Sequence, residues 1–281
     1  KQMNTPVLVH VYTKKGKGSK NAESDSVKYY SLPGTKNKII SSESSAISYS
    51  EVLGQSIAQI AEDDLAIECV TAAMEIGTGL KAFTKKFPNR YIDVGIAEEH
   101  AVTYASGLAG AGKKPIVAIY STFLQRAFDC IFHDGLLQDL PIIYCMDRAG
   151  LAGPDGPTHH GVFDIPMLRM LPNMVVTAPK DGNELRNLLA TATSSKNSFS
   201  IRYPKGSSRK FDVNQTPEVL KIGEWEELAK GSKIAILATG TMVAIVDDNL
   251  KSISKALGFY PTLINARFIK PLDESMLKKL G

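Results

Sequence analysis

The chain has 281 residues, 43% apolar and 22% charged, an ordinary globular composition that excludes a disordered or fibrous protein. Thirty-three Lys and Arg against 29 Asp and Glu leave a net charge of +4, too little to argue for nucleic acid as a partner. No apolar run approaches the roughly 18 residues that suggest a membrane span, and the length suits one full domain plus part of another.

The positive excess is local, because the first 40 residues hold eight Lys against two acids. The run VLVHVYT (Val7 to Thr13) reads as a strand, and residues 14 to 50, rich in Lys, Ser, Asn and Gly, read as a solvated connector. From residue 51 the pattern changes to short β-branched runs alternating with helical ones. Strands are predicted at Ile67 to Met74, Arg90 to Ile96, Lys114 to Tyr120, Leu140 to Asp147, Asn173 to Pro179 and Ser198 to Pro204. Helices are predicted near 51 to 61, 98 to 111, 122 to 138 and 181 to 194. Continuous apolar strands separated by helices predict an α/β domain, a parallel sheet with helices on both faces.

Residues 205 to 232 lack apolar strand runs and read as a linker. A second α/β unit then begins with strand Lys233 to Gly240, a helix near 242 to 257 and strand Tyr260 to Phe268. The chain opens without an initiator Met, and Gly281 follows before this unit can be completed, so a segment of a longer protein is expected. Cys69, Cys130 and Cys145 lie far apart with no CxxC spacing, which indicates neither a disulfide framework nor a zinc site.

Ligands of open parallel sheets collect beyond the carboxyl ends of the strands, and four such segments are unusually polar. Glu98, Glu99 and His100 open a helix straight after a strand; acids there favour the positive end of the helix dipole, but a carboxylate at that place also points into the crevice. Tyr120, Phe123 and Arg126 offer an aromatic plate with a cation beside it, or else core and surface cap. The loop Asp147 to Gly161 carries Asp155, His159 and His160, a density that suggests acid/base or anion chemistry ahead of metal binding. Arg148 and Lys205, each just past a strand end, could hold one phosphate together. GLAGAGKK (Gly107 to Lys114) only imitates a phosphate-binding loop, because its glycines end a helix and precede a strand.

DVGIAEEHAVTYASGLAGAGKKPIVAIYSTFLQRAFDCIFHD (Asp93 to Asp134), DRAGLAGPDGPTHHGVFD (Asp147 to Asp164), RYPKG (Arg202 to Gly206) and RFIKPLD (Arg267 to Asp273) resemble the 1-deoxy-D-xylulose-5-phosphate synthase family of the transketolase superfamily. HVYTKKGKG (His10 to Gly18) resembles the end of that family's first domain. The resemblance covers nearly the whole chain and implies four parts. These are the tail of a diphosphate-binding domain with its connector (1–50), a pyrimidine-binding domain (51–204), a linker (205–232) and the start of a C-terminal domain (233–281).

It further implies condensation of pyruvate with glyceraldehyde 3-phosphate, feeding isoprenoid and thiamine synthesis, with thiamine diphosphate and Mg²⁺ as cofactors and a homodimer as the assembly. Glu98 matches the carboxyl that hydrogen-bonds the aminopyrimidine ring, Phe123 the ring that stacks on it, and Tyr120 and Arg126 their neighbours. Arg148, Asp155, His159 and Lys205 match substrate contacts, and His159 could also assist proton transfer. The compartment implied is the cytoplasm for a bacterial source and the plastid for a plant or alga.

Three departures stand out. Lys205 replaces a second Arg, so a bidentate phosphate contact becomes a point charge. Ser19 stands where a Tyr is common, and no GDG occurs anywhere in the chain. Metal ligands are therefore expected outside this sequence, and the chain alone is expected to be inactive. Two other readings stay open: the beta subunit of a 2-oxo acid dehydrogenase, and a transketolase-like module without chemistry.

Overall fold

A computed structural model describes residues 3–26, 29 and 47–281. Contacts divide the chain into two units, residues 1–45 and 46–281. In the first unit a five-residue helix, Lys20–Ser24, follows an extended segment. The strand expected over Val7 to Thr13 does not form, and its Leu8, Val9 and Tyr12 side chains are exposed. A strand exists only as part of a ladder, and no described residue pairs with this run. Most of the remaining connector lies outside the described residues.

The second unit is built on a seven-stranded sheet. Its strands in chain order are β1 (Ile67–Thr71), β2 (Tyr91–Asp93), β3 (Lys114–Tyr120), β4 (Ile143–Asp147), β5 (Met174–Thr177), β6 (Ser198–Arg202) and, after a second sheet, β10 (Phe268–Lys270). The spatial order is β10-β5-β6-β4-β3-β1-β2, parallel throughout except for β10, which runs antiparallel to β5. Alternation along each strand assigns the two faces. Ile116 and Ala118 of β3 and Ile143 and Cys145 of β4 pack under helices α1 (Tyr49–Asp63) and α3 (Gly182–Ser194). Val117, Ile119, Tyr144 and Met146 pack under α2 (Glu98–Gly110) and the segment that follows β3. Both faces are covered, as the unbroken apolar strands require.

Local signals set the helix starts. Ser48 and Glu51 form a reciprocal capping box at α1, and the Asp181 carboxylate accepts from the Glu184 N–H at α3, 2.9 Å. The single helix expected over 122 to 138 is instead a chain of short turns, from Ser121–Leu124 through a π turn at Ile131–Gly135 to Leu136–Gln138. Packing two aromatic residues and an arginine at its start towards the strand ends, while Ile131 and Leu136 face the core, is incompatible with one regular period.

The smaller sheet contains β7 (Glu226–Ala229), β8 (Ala235–Ala238) and β9 (Thr262–Asn265) in the order β7-β9-β8, with α4 (Met242–Leu257) after β8. The run Tyr260 to Phe268, expected as one strand, divides: β9 stays in this sheet and β10 crosses to the large one. The stretch read as a linker also carries structure. Gly206 and Ser208 make backbone hydrogen bonds to Tyr49 and Ile47, Trp225 is buried, and β7 lies within it.

Candidate active site

The carboxyl ends of β2, β3, β4 and β6 open on the same side of the sheet, and each delivers a side chain singled out from the sequence. Behind β2 the chain turns through Gly95, whose N–H, with that of Ala73, is held by the Asp93 carboxylate at 2.9 and 2.8 Å. The turn sets Glu98 at the first position of α2, where it is 2% exposed. Its Oε1 accepts from Arg126 Nη1 at 2.8 Å, and no described residue hydrogen-bonds its Oε2. A buried carboxylate is tolerable here because a guanidinium and the positive end of a helix both face it.

Beyond β3 the side chains form a column. The Arg126 guanidinium lies 5.1 Å from the Phe123 ring centre, Phe123 stacks on Tyr120 at 5.8 Å and 19°, and the Arg148 guanidinium covers Tyr120 at 4.0 Å. His159 meets Phe123 edge-on at 5.3 Å and Tyr120 at 6.2 Å. The two stacked rings lie between two guanidinium groups because each cation gains from the negative face of a ring. Burial raises the Tyr120 hydroxyl above its ordinary pKa, against the opposing pull of Arg148. Gly77 makes room for that ring: a Cβ there would lie 1.7 Å from the Tyr120 hydroxyl.

Arg148 follows β4 with φ +58°, a left-handed backbone that costs a non-glycine residue about 1–3 kcal/mol. Its Nη1 donates to the Gly77 carbonyl and lies 3.0 Å from Asp147 Oδ1, while its Nε, 3.8 Å from Asp155 Oδ2, is buried without a hydrogen bond. The Lys205 Nζ reaches the other Asp155 oxygen at 2.5 Å. Arg148 and Lys205 thus both approach the Asp155 carboxylate.

The loop carrying Asp155 and His159 is pinned at its ends by paired Gly150 and Gly161 backbone bonds, 2.7 and 2.8 Å. Gly150, Gly153 and Gly156 all have φ between +61° and +80° with open space around them, so the loop turns sharply without crowding. His160 points inward and accepts from the Ala152 N–H, 3.0 Å, rather than joining His159. Among the described residues no group of three or more His, Cys, Asp or Glu side chains is arranged to hold a metal.

Glu98, Arg126, Phe123, Tyr120, Arg148, Asp155 and Lys205 therefore form one continuous chain of contacts, with His159 at its side. Three further contributors escaped the sequence reading. Asp147 is fully buried beneath Arg148, Ser50 donates to it at 2.5 Å, and Gly77 contacts both Tyr120 and Arg148. An acid directly before Arg148 at a strand end was a readable signal; Ser50 and Gly77 arrive from distant parts of the chain and gave none.

The chain is similar to known proteins along its whole length. Residues 45–210 match the transketolase pyrimidine binding domain and residues 223–281 the transketolase C-terminal domain. It is 49% identical over 99% of its length to the 1-deoxy-D-xylulose-5-phosphate synthase of Dictyoglomus thermophilum, and 48% identical over its full length to that of Aquifex aeolicus. It spans 44% and 45% of those two proteins. Among solved structures, an inactive beta4 tetramer of a split-gene transketolase superposes with a TM-score of 0.74 at 26% identity, over 84% of this chain and 76% of that one. A transketolase of Pichia stipitis shares the fold, with a TM-score of 0.70 at 21% identity over 82% of this chain and 36% of that one.

Proposed function

We infer the function from one premise: the chain belongs to the transketolase family, its residues 45–210 forming the pyrimidine-binding domain. It acts as the pyrimidine-binding and phosphate-substrate half of a 1-deoxy-D-xylulose-5-phosphate synthase, which joins pyruvate to glyceraldehyde 3-phosphate and releases carbon dioxide. The observation that carries this reading is the buried Glu98 carboxylate at one end of an aromatic column whose other end presents Arg148 and Lys205.

The residues present fit the aminopyrimidine of thiamine diphosphate. No described residue hydrogen-bonds Glu98 Oε2, and Phe123 is an aromatic surface within reach of the Arg126 that holds Glu98. When bound, the cofactor supplies the electron sink that lets pyruvate lose its carboxylate. Glu98 would hydrogen-bond the aminopyrimidine ring, with Arg126 fixing the orientation of its carboxyl group. Arg148 and Lys205 take the phosphate of the aldehyde substrate, exchanging it for Asp155. His159, edge-on to Phe123, holds a substrate oxygen or carries a proton. Mg²⁺ and the diphosphate are not assigned to these residues, because the metal favours carboxylate oxygens and no group of three or more His, Cys, Asp or Glu side chains among the described residues is arranged to hold one.

Ile96, Leu151 and Phe163 are exposed on segments around the site. Apolar side chains so placed are consistent with cover by a second copy in a homodimer. Identity near one half to synthases along this chain, which spans 44–45% of them, favours this reaction over that of a 2-oxo acid dehydrogenase beta subunit.

In the intact protein, carbon dioxide release from pyruvate should depend strongly on glyceraldehyde 3-phosphate and yield a five-carbon sugar phosphate. Release indifferent to the aldehyde, with transfer to a lipoyl acceptor, would overturn the assignment. The 281-residue chain alone, holding half a cofactor site, should bind thiamine diphosphate and Mg²⁺ weakly by calorimetry. Tight one-to-one binding would mean that these residues form a whole site.

A further inference from the structure

The geometry points to Asp147 as the positioning residue that sets the anion grip of Arg148, an inference resting on the reading of Arg148 as a phosphate-binding cation. Asp147 ends β4, in register with Tyr120, and is fully buried. It touches no substrate from there, so any influence passes through its neighbours. Both carboxylate oxygens are engaged: Oδ2 accepts from Ser50 Oγ at 2.5 Å, and Oδ1 accepts from the Arg148 backbone N–H at 2.7 Å and faces Arg148 Nη1 at 3.0 Å.

One oxygen thus grips the main chain and the side chain of the same residue. Closing that ring is compatible with the left-handed backbone at Arg148 and folds the guanidinium back over Tyr120, towards the Gly77 carbonyl. A solvated arginine samples many rotamers and loses them on binding an anion. Here that ordering is already done, and the buried Nε keeps its hydrogen unpaired beside Asp155. A charge this deep persists only when paired and hydrogen-bonded, which Ser50 and Arg148 together accomplish. Burial still pushes the Asp147 carboxyl above its ordinary pKa, with Arg148 and Ser50 pulling the other way. Among the described residues Asp155 is the other acid facing this guanidinium, and it is exposed enough to give way.

The test compares Asp147→Asn, which keeps the shape but removes the charge, with Ser50→Ala, which keeps the charge but loosens it. In the intact protein, Asp147→Asn should raise KM for glyceraldehyde 3-phosphate about tenfold while kcat at saturation and KM for pyruvate stay within about threefold, and Ser50→Ala should give a smaller rise of the same kind. A purely structural role predicts the opposite pattern, a lower kcat in step with lost folded protein and an unchanged KM, and that result overturns the inference. If Asp147→Asn does not fold, an unchanged KM in Ser50→Ala overturns it alone. Should the wild type lack synthase activity, the proposed reaction fails while this inference is still decided by equilibrium binding of inorganic phosphate. Weaker binding by Asp147→Asn than by wild type supports it, and equal binding refutes it.

Discussion

Replacing Glu98, the proposed proton donor, by Ala should lower turnover of the intact protein by about 10²–10⁴-fold, the usual worth of such a group. KM for glyceraldehyde 3-phosphate should stay within about threefold, because the cations proposed to take the phosphate stand at the far end of the column. The fold should survive. Glu98 is a buried first-turn residue whose favourable interaction with the helix end is worth up to about 2 kcal/mol, and its partner Arg126 is half exposed and returns to water. Glu98→Gln, which keeps the volume and one hydrogen bond, should lose turnover as well. Steady-state kinetics with both substrates varied decides the matter: normal turnover with lost affinity for the phosphate substrate would place Glu98 at the substrate end instead.

Gly54→Ala should cost about 3 kcal/mol of stability, at the severe end for a single methyl group. Gly54 lies in α1 against the backbone of Gly79, and a Cβ there would fall 1.8 Å from the Gly79 carbonyl oxygen. Gly79 is no freer, since its own Cβ would meet the Ser50 carbonyl at 1.9 Å. Neither contact is with a flexible side chain, so helix and loop must separate. In a unit of this size that corresponds to a melting point lower by about 6–12 °C. Urea unfolding measures it directly, and a variant within about 0.5 kcal/mol of wild type would show that the two backbones part easily. The same separation would carry off Gly77 and Ser50, which flank the contact and support Tyr120 and Asp147.

The sheet was legible because its strands, buried on both faces, spell unbroken apolar runs. Periodicity failed where tertiary demands outweighed it. Val7 to Thr13 has strand composition but no pairing partner among the described residues, the segment after β3 abandons a single helical repeat, and β10 leaves its own sheet for another. The site residues could be chosen one at a time from strand ends and motif resemblance. Their connections could not, because Glu98 meets Arg126 across 28 positions and Lys205 meets Asp155 across 50. Ser50 and Gly77 belong to the supporting layer, whose identity depends on which backbone passes behind the ring.

The strand that crosses from the small sheet to the large one has an architectural cost. With β10 hydrogen-bonded to β5, and the Trp225 indole donating to the Phe268 carbonyl at 2.8 Å, no seam runs between the two regions along which they could part. Melting is then expected to be a single cooperative event, and a chimera joining the front of one homologue to the back of another would have to be cut through the middle of a shared ladder.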